Sequence, residues 1–162
     1  MKSINPLWIG NAVILRKFSD SDLDSIVSLE KRAFAVGPYT RRMLRNIFDD
    51  VSGANVVAQE GDRIVGYAVI LPLNSSQVDL ETIAVLPEFQ GKGVSHELLK
   101  YLEKEASSRG FRQMILEVRD RNDRAISFYR RNGYSTVSHL PLFYREPYMG
   151  SRGAFRMSKD LK

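Results

Sequence analysis

Three groups of residues in this chain have the type and spacing for chemistry. Glu117 interrupts an apolar run, Met114-Ile115-Leu116-Glu117-Val118. A carboxylate inside a buried strand is unusual, and burial raises its affinity for protons, which suits a general base. A structural pairing with Arg119 or with the Asn122 loop is the alternative. Tyr129 follows Ala125 by four residues and Ile126 by three, so on a helix it faces inward. An ordinary phenol is protonated at pH 7 and can donate that proton; plain core packing is the alternative. The third group is Gln90-Gly91-Lys92-Gly93-Val94-Ser95-His96, a loop with two glycines that opens into a helical pattern. Free N–H groups and the positive end of a helix dipole bind phosphate there. Lys92 either adds a screened charge or is simply solvated. The loop lacks both the Gly-Lys-Ser/Thr ending of ATP-binding loops and the Gly-x-Gly-x-x-Gly of dinucleotide folds.

The elements that must position these groups follow from periodicity. Leu80 to Leu86 is apolar and β-branched enough for a strand, and Pro87 ends it. Val94, Leu98, Tyr101 and Leu102 then recur at helical spacing up to about Ser108, with Glu105 and Arg109 as an i,i+4 pair and Gly110 as the stop. Upstream, Ala12–Phe18 reads as a strand and Ser19 to Asp22 offers helix caps. Leu23, Ile26, Val27, Leu29, Ala33 and Phe34 form an apolar helical face, and a second helix spans about Thr40 to Phe48. Ala54–Gln59 and Arg63–Leu73 form a hairpin around Glu60-Gly61-Asp62, and Ser76 begins the strand that reaches Leu86. Downstream come a strand over Arg112–Arg119, a helix over Asn122–Asn132 capped by Asn122, and strands over Tyr134–Leu140 and Ala154–Lys159. The expectation is an α/β fold, with a mixed, mostly antiparallel sheet of about seven strands and about four helices.

The 162 residues predict one domain spanning 1–162. A 43% hydrophobic and 27% charged content is that of an ordinary globular chain, and no apolar run approaches the ~20 residues that span a bilayer. Met1 to Pro6 lacks the apolar core of a signal peptide. Cysteine is absent, which removes disulfides and a thiolate nucleophile and fits a cytoplasmic location. The two histidines, His96 and His139, are far apart, so no metal site is expected. A net charge of +5 suits an anionic ligand or an acidic partner. Without a compact basic run interleaved with aromatics, nucleic acid is not the expected partner, although Arg119, Arg121, Arg124, Arg130 and Arg131 cluster in sequence.

Leu86-Pro87-Glu88-Phe89-Gln90-Gly91-Lys92-Gly93-Val94-Ser95 resembles the acetyl-coenzyme A signature of the GNAT superfamily of N-acetyltransferases, Gln/Arg-x-x-Gly-x-Gly/Ala. Gln90, Gly93 and Ser95 occupy its fixed positions, with Ser95 replacing the usual Gly or Ala. The element order is similar over nearly the whole chain. Within the superfamily, three stretches resemble the RimI-type protein N-terminal acetyltransferases: Phe34-Ala35-Val36-Gly37-Pro38-Tyr39-Thr40, Leu116-Glu117-Val118-Arg119-Asp120-Arg121-Asn122, and Ala125-Ile126-Ser127-Phe128-Tyr129-Arg130-Arg131-Asn132-Gly133-Tyr134.

The resemblance implies direct acetyl transfer from acetyl-CoA to an amine, most readily the N-terminal α-amine of a protein. Gly91 through His96 would meet the pyrophosphate, and Ile83, Ala84 and Val85 would carry a bulge whose N–H groups face the pantetheine and acetyl carbonyl. Asn122 would contact the cofactor. Glu117 would be the base, with Asp79 and Glu81 as rivals and His139 a weaker one, and Tyr129 would protonate the leaving thiolate. Phe34, Tyr39, Phe143 and Tyr144 would line the acceptor groove, or else pack in the core. Where these relatives carry an acidic pair near the C-terminus, this chain has Arg152, which predicts acidic residues near the acceptor amine. A lysine or small-amine acceptor and a non-catalytic acyl-CoA sensor are the competing readings. A monomer or homodimer is expected.

Overall fold

Tyr67 and its neighbour Gly66 show how the sheet is covered. The Tyr67 hydroxyl donates to Glu30 on one helix, while a side-chain carbon at Gly66 would lie 3.2 Å from Leu98 on another. Consecutive strand residues point to opposite faces, so the two helices lie on opposite sides. The computed structural model describes residues 7–9 and 13–162. Its strands are β1 (Leu7–Ile9), β2 (Val13–Arg16), β3 (Ala54–Glu60), β4 (Arg63–Pro72), β5 (Gln77–Val85), β6 (Gln113–Arg119), β7 (Ser135–Leu140) and β8 (Ala154–Asp160). The helices are α1 (Leu23–Ala33), α2 (Arg41–Asp49), α3 (Val94–Ser108) and α4 (Asp123–Arg131).

The strands form one sheet in the order β1-β2-β3-β4-β5-β6-β8-β7. Every neighbouring pair is antiparallel except β5 with β6. The expected α/β class and mixed sheet are found, with one strand more than expected. The addition, β1, has three residues, too few for a period-2 pattern to register in sequence. The expected first strand is present as Val13–Arg16; Ala12 lies outside the described residues, as do parts of the expected 1–162 domain.

The helices begin and end where local chemistry permits. Thr40 Oγ1 accepts from the Met43 N–H at 3.2 Å and starts α2. Asn122 Oδ1 accepts from the Ala125 N–H at 3.2 Å and starts α4. The Arg109 guanidinium reaches Glu105 at 3.0 Å at the end of α3. α3 buries Val94, Leu98, Leu99, Leu102 and Ala106 over β3, β4 and β5, and α1 buries Leu23, Ile26 and Leu29 over β4 and β5. Fully burying one such leucine is worth about 1.5–3 kcal/mol, so these stripes fix the helices to the sheet.

Two irregularities matter later. Between β4 and β5 the register slips: Val69 faces Thr82 but Ile70 faces Leu80, leaving Glu81 as the extra residue of a bulge. Between β7 and β8, Thr136 faces Met157 and Ser138 faces Arg156, leaving Val137 unpaired.

Gly53, just before β3, has no room for a side chain. A Cβ there would lie 2.6 Å from the Ile70 carbonyl oxygen and 2.7 Å from Leu71 Cδ2. Gly53→Ala is expected to destabilise the fold by about 1–3 kcal/mol, read as a lower denaturant midpoint with an unchanged slope.

Candidate active site

The cleft begins where β5 and β6 part. The two pair only from Gln77↔Gln113 to Asp79↔Ile115. Beyond that, β6 keeps its ladder with β8 while β5 keeps its ladder with β4. The β6-facing backbone groups of residues 80–85 therefore have no strand partner among the described residues. The bulge was expected at Ile83–Val85, but it lies earlier, at Glu81. Tyr39 contacts the bulge: its hydroxyl sits 3.0 Å from Glu81 Oε1 and 3.2 Å from the Glu81 carbonyl. Ile83 is half-buried, and Ala84 and Val85 are buried.

Carboxylates gather at the parting, on the α1 side of the sheet. Asp79 and Ile115 are register partners, so Glu117, two residues on, shares their face. Glu117 lies opposite Arg156 and accepts from its Nη2 at 3.0 Å, with its own side chain 18% exposed. The structural partner of Glu117 is thus Arg156, not Arg119 or the Asn122 loop. Asp79 is the carboxyl whose affinity for protons rises most clearly, to a pKa of about 8. Burial is the main cause, followed by hydrogen bonding to Glu81 and the negative charges of Glu117 and Glu81. The expected base and both of its expected rivals therefore stand together.

Tyr129 approaches from the opposite face. It is buried on α4, in edge-on contact with Tyr134 at 5.8 Å. Its hydroxyl has no hydrogen-bond partner among the described residues, yet no enclosed polar atom is left unsatisfied, so this oxygen borders accessible space. Burial, then the Tyr144 hydroxyl, pushes its pKa up, which keeps the phenol protonated. Asn122 caps α4 with Oδ1 and keeps its Nδ2 donor for another partner.

The glycine loop lies beside α4. Gly91 and Gly93 have φ of +74° and +87°, values that side-chain-bearing residues rarely adopt. The first backbone bond of α3 runs from the Glu97 N–H to the Gly93 carbonyl at 3.1 Å. No carbonyl among the described residues accepts from the N–H groups of residues 91–96. Gln90 braces the loop: its Nε2 donates to the Val85 carbonyl at 3.0 Å and its Oε1 accepts from Arg124 at 3.0 Å. Val94 is buried, Ser95 half-buried in the first turn, and His96 Nδ1 lies 2.7 Å from Asn132 Oδ1, tying α3 to α4. Lys92 leans over the Phe89 ring at 5.4 Å. Arg124 is the loop neighbour that sequence reasoning left among surface arginines.

Two chain segments face each other across the cleft mouth. Phe34 and Tyr39, half-buried against the core, lie on the α1–α2 connection. Phe143, exposed, and Tyr144, half-buried, pack edge-to-face at 4.9 Å on the β7–β8 connection. Arg119 joins them: its guanidinium lies 3.8 Å from the Tyr144 ring centre, and a carbon on Gly37 would lie 4.0 Å from its Nη2. Two carboxylates that sequence reasoning passed over hold these segments. Glu30, wholly buried, accepts from the Tyr39 N–H at 2.9 Å and from the Tyr67 hydroxyl. Burial raises its pKa against the pull of those donors. Asp120 accepts from Ser151 Oγ at 2.7 Å and meets His139 Nε2 at 2.9 Å, so His139 serves the loop rather than the carboxylate group. A surface cleft of about 1000 Å³, lined by Gln77, Phe111, Gln113 and Asp160, opens at the other, paired end of β5 and β6. Among the described residues there is no cluster of metal ligands, and no helix is long and apolar enough to cross a membrane.

Asp79 sets a stability profile. Its folded pKa of about 8 exceeds the unfolded 3.8, so the folded state holds the extra proton between them. Its contribution is full below about pH 4 and is lost as pH rises through 8. Thermal melts from pH 4 to 8.5 are expected to show wild type losing Tm relative to Asp79→Asn as pH rises; parallel curves would remove this proton from Asp79.

The model of the acetyltransferase (GNAT) family matches residues 23–134. An N-acetyltransferase of uncharacterized role from Methanocaldococcus jannaschii is 32% identical over 83% of this chain and 85% of its own length. The ribosomal-protein-S18-alanine N-acetyltransferase of Escherichia coli superposes with a TM-score of 0.83 at 23% identity, over 93% of this chain and 94% of that one. A GNAT acetyltransferase from Elizabethkingia anophelis, crystallised with acetyl-CoA, superposes with a TM-score of 0.75 at 16% identity, over 93% and 99%. The glycine loop, the parted strands and the facing Tyr129 and carboxylates all fall within or beside the matched segment, and the chain belongs to the GNAT family of acetyltransferases.

Proposed function

We propose that this protein transfers the acetyl group of acetyl-CoA to the N-terminal α-amine of a protein or peptide. The observation that carries this reading is the parting of β5 and β6, which opens the sheet between two sets of reactive groups. The glycine loop fits a pyrophosphate: its N–H groups lack backbone acceptors among the described residues, and a Cβ at Gly93 would meet nothing within 4 Å. Gly91, Lys92, Gly93, Val94, Ser95 and His96 would hold that group, with Asn122 Nδ2 and the backbone of Ile83 to Val85, on its side away from β4, lining the way to the carboxylates. Bound acetyl-CoA supplies an acyl group already activated as a thioester.

This chain's residues then divide the proton traffic by face. Tyr129 holds a proton at its hydroxyl, where a departing sulfur can take it. On the other face, Glu117 with Asp79 and Glu81 accepts a proton from the acceptor amine. The group is better matched to an α-amine, with a pKa near 7.7–8.0, than to a lysine near 10.4, because less proton affinity must be overcome. The two aromatic walls support a peptide acceptor, as does the fold shared with an enzyme named for a ribosomal-protein alanine.

A peptide carrying both a free N-terminus and an internal lysine tests the acceptor. Mass spectrometry is expected to find the acetyl group on the α-amine; modification mainly of the lysine would replace this reading with a lysine acetyltransferase. Tyr129→Phe tests the proton donor. Because the hydroxyl has no hydrogen-bond partner among the described residues, its removal is expected to lower kcat by roughly 10²–10⁴ with little change in Tm. A normal kcat would return Tyr129 to a packing role.

A further inference from the structure

We infer that Arg119 reads a carboxylate on the second or third residue of the acceptor peptide, which makes acidic N-termini the preferred substrates. The inference rests on the α-amine reading above and extends it. Arg119 follows Glu117 by two residues on β6, on the same face. Strand geometry places the two about 7 Å apart along the cleft. An extended peptide advances about 3.5 Å per residue, so an amine held at the carboxylates brings the second or third side chain to Arg119.

The guanidinium is presented rather than consumed. It lies 3.8 Å from the Tyr144 ring centre and 6.0 Å from that of Tyr148, which fixes its plane. One of its five N–H groups donates to the Glu146 carbonyl at 2.8 Å. The nearest carboxylates along its strand are taken by others. Glu117 is paired with Arg156 at 3.0 Å, and Asp120 with His139 at 2.9 Å and Ser151 at 2.7 Å. No carboxylate among the described residues forms an ion pair with Arg119. A planar fork held against an aromatic ring at the junction of both walls is suited to bidentate capture of a carboxylate.

Arg152, expected from the sequence to play this part, is placed otherwise. Its Nε donates to the Tyr144 carbonyl at 2.8 Å, and the Tyr144 N–H donates to the Arg152 carbonyl at 2.9 Å. It closes the loop that carries Tyr144, and the charge between the walls belongs to Arg119.

The cleft thus carries acid where the amine docks and a cation one strand step outward. An acceptor with the opposite order, amine first and carboxylate next, matches both. A basic second residue meets Arg119 with like charge.

The test uses peptides identical except for Glu, Gln or Lys at residue 2, with kcat/KM measured for each. Wild type is expected to favour Glu over Gln by roughly 3- to 10-fold, the range of a partly exposed charge-assisted contact. Arg119→Gln is expected to bring that ratio to about one, and Arg119→Glu to reverse the order in favour of Lys. Arg152→Gln is expected to keep the wild-type ratio. Because each ratio is internal to one variant, general loss of activity cancels. A wild-type ratio near one, or a ratio that collapses in Arg152→Gln and not in Arg119→Gln, overturns the role of Arg119 while α-amine acetylation stands. Absence of any α-amine product overturns both.

Discussion

The site depends on a parallel strand pair that stops pairing. β5 and β6 share only three register positions, and each then follows its antiparallel neighbour on the far side. Backbone groups buried without partners cost about 1–3 kcal/mol each, so an unfilled gap in a sheet interior is strained. The Glu81 bulge lies just past the last β5–β6 register pair and is bonded by Tyr39. It also turns Asp79, Glu81 and Thr82 toward the α1 side within four residues, which a regular strand could not do. In the acetyl-CoA reading, an extended ligand with its own amide groups fits this defect in the ladder.

Charge is sorted across the cleft by what each group can pair with. Glu117 has a cation one strand away, whereas Asp79, desolvated by burial and then set among other carboxylates, keeps its proton. The grouping is therefore a store of protons as well as of negative charge. The walls around it are stiffened by carboxylates that face away from the cleft. Glu30 ties the Tyr39 backbone to the central strand β4, and Asp120 ties the end of β6 to the loop before β8. Gly153 has to be glycine for that second tie, since a Cβ there would run into the Asp120 carboxylate.

Local pattern made much of this legible in advance. The loop from Gln90 to His96, the Asn122 cap and the inward Tyr129 each depend on neighbours within one or two helical turns, and each appears at its expected place. What sequence left open depends on distant partners. Arg156 lies 39 residues from Glu117, and nothing near Glu117 points to it. Glu30 falls within the apolar stripe of α1, and Tyr67, which donates to it, lies 37 residues on. The bulge lies at Glu81 rather than at Ile83–Val85, where it meets Tyr39, 42 residues away in sequence. In sequence the acid-favouring charge was expected at Arg152; the Tyr144 ring stacks on Arg119, whereas the Tyr144 carbonyl accepts from Arg152.

The unpaired Val137 bears on how the molecule keeps company with others in a crowded solution. A sheet can grow without limit if its outermost strands offer unbroken rows of hydrogen-bonding groups to a stranger. Here β1 contributes only three residues at one margin, and β7 is broken midway at the other by a half-exposed valine that matches no position on β8. A foreign strand approaching β7 finds its ladder interrupted after two residues. The sheet can thus open in its middle, between β5 and β6, while its margins offer little foothold for polymerisation.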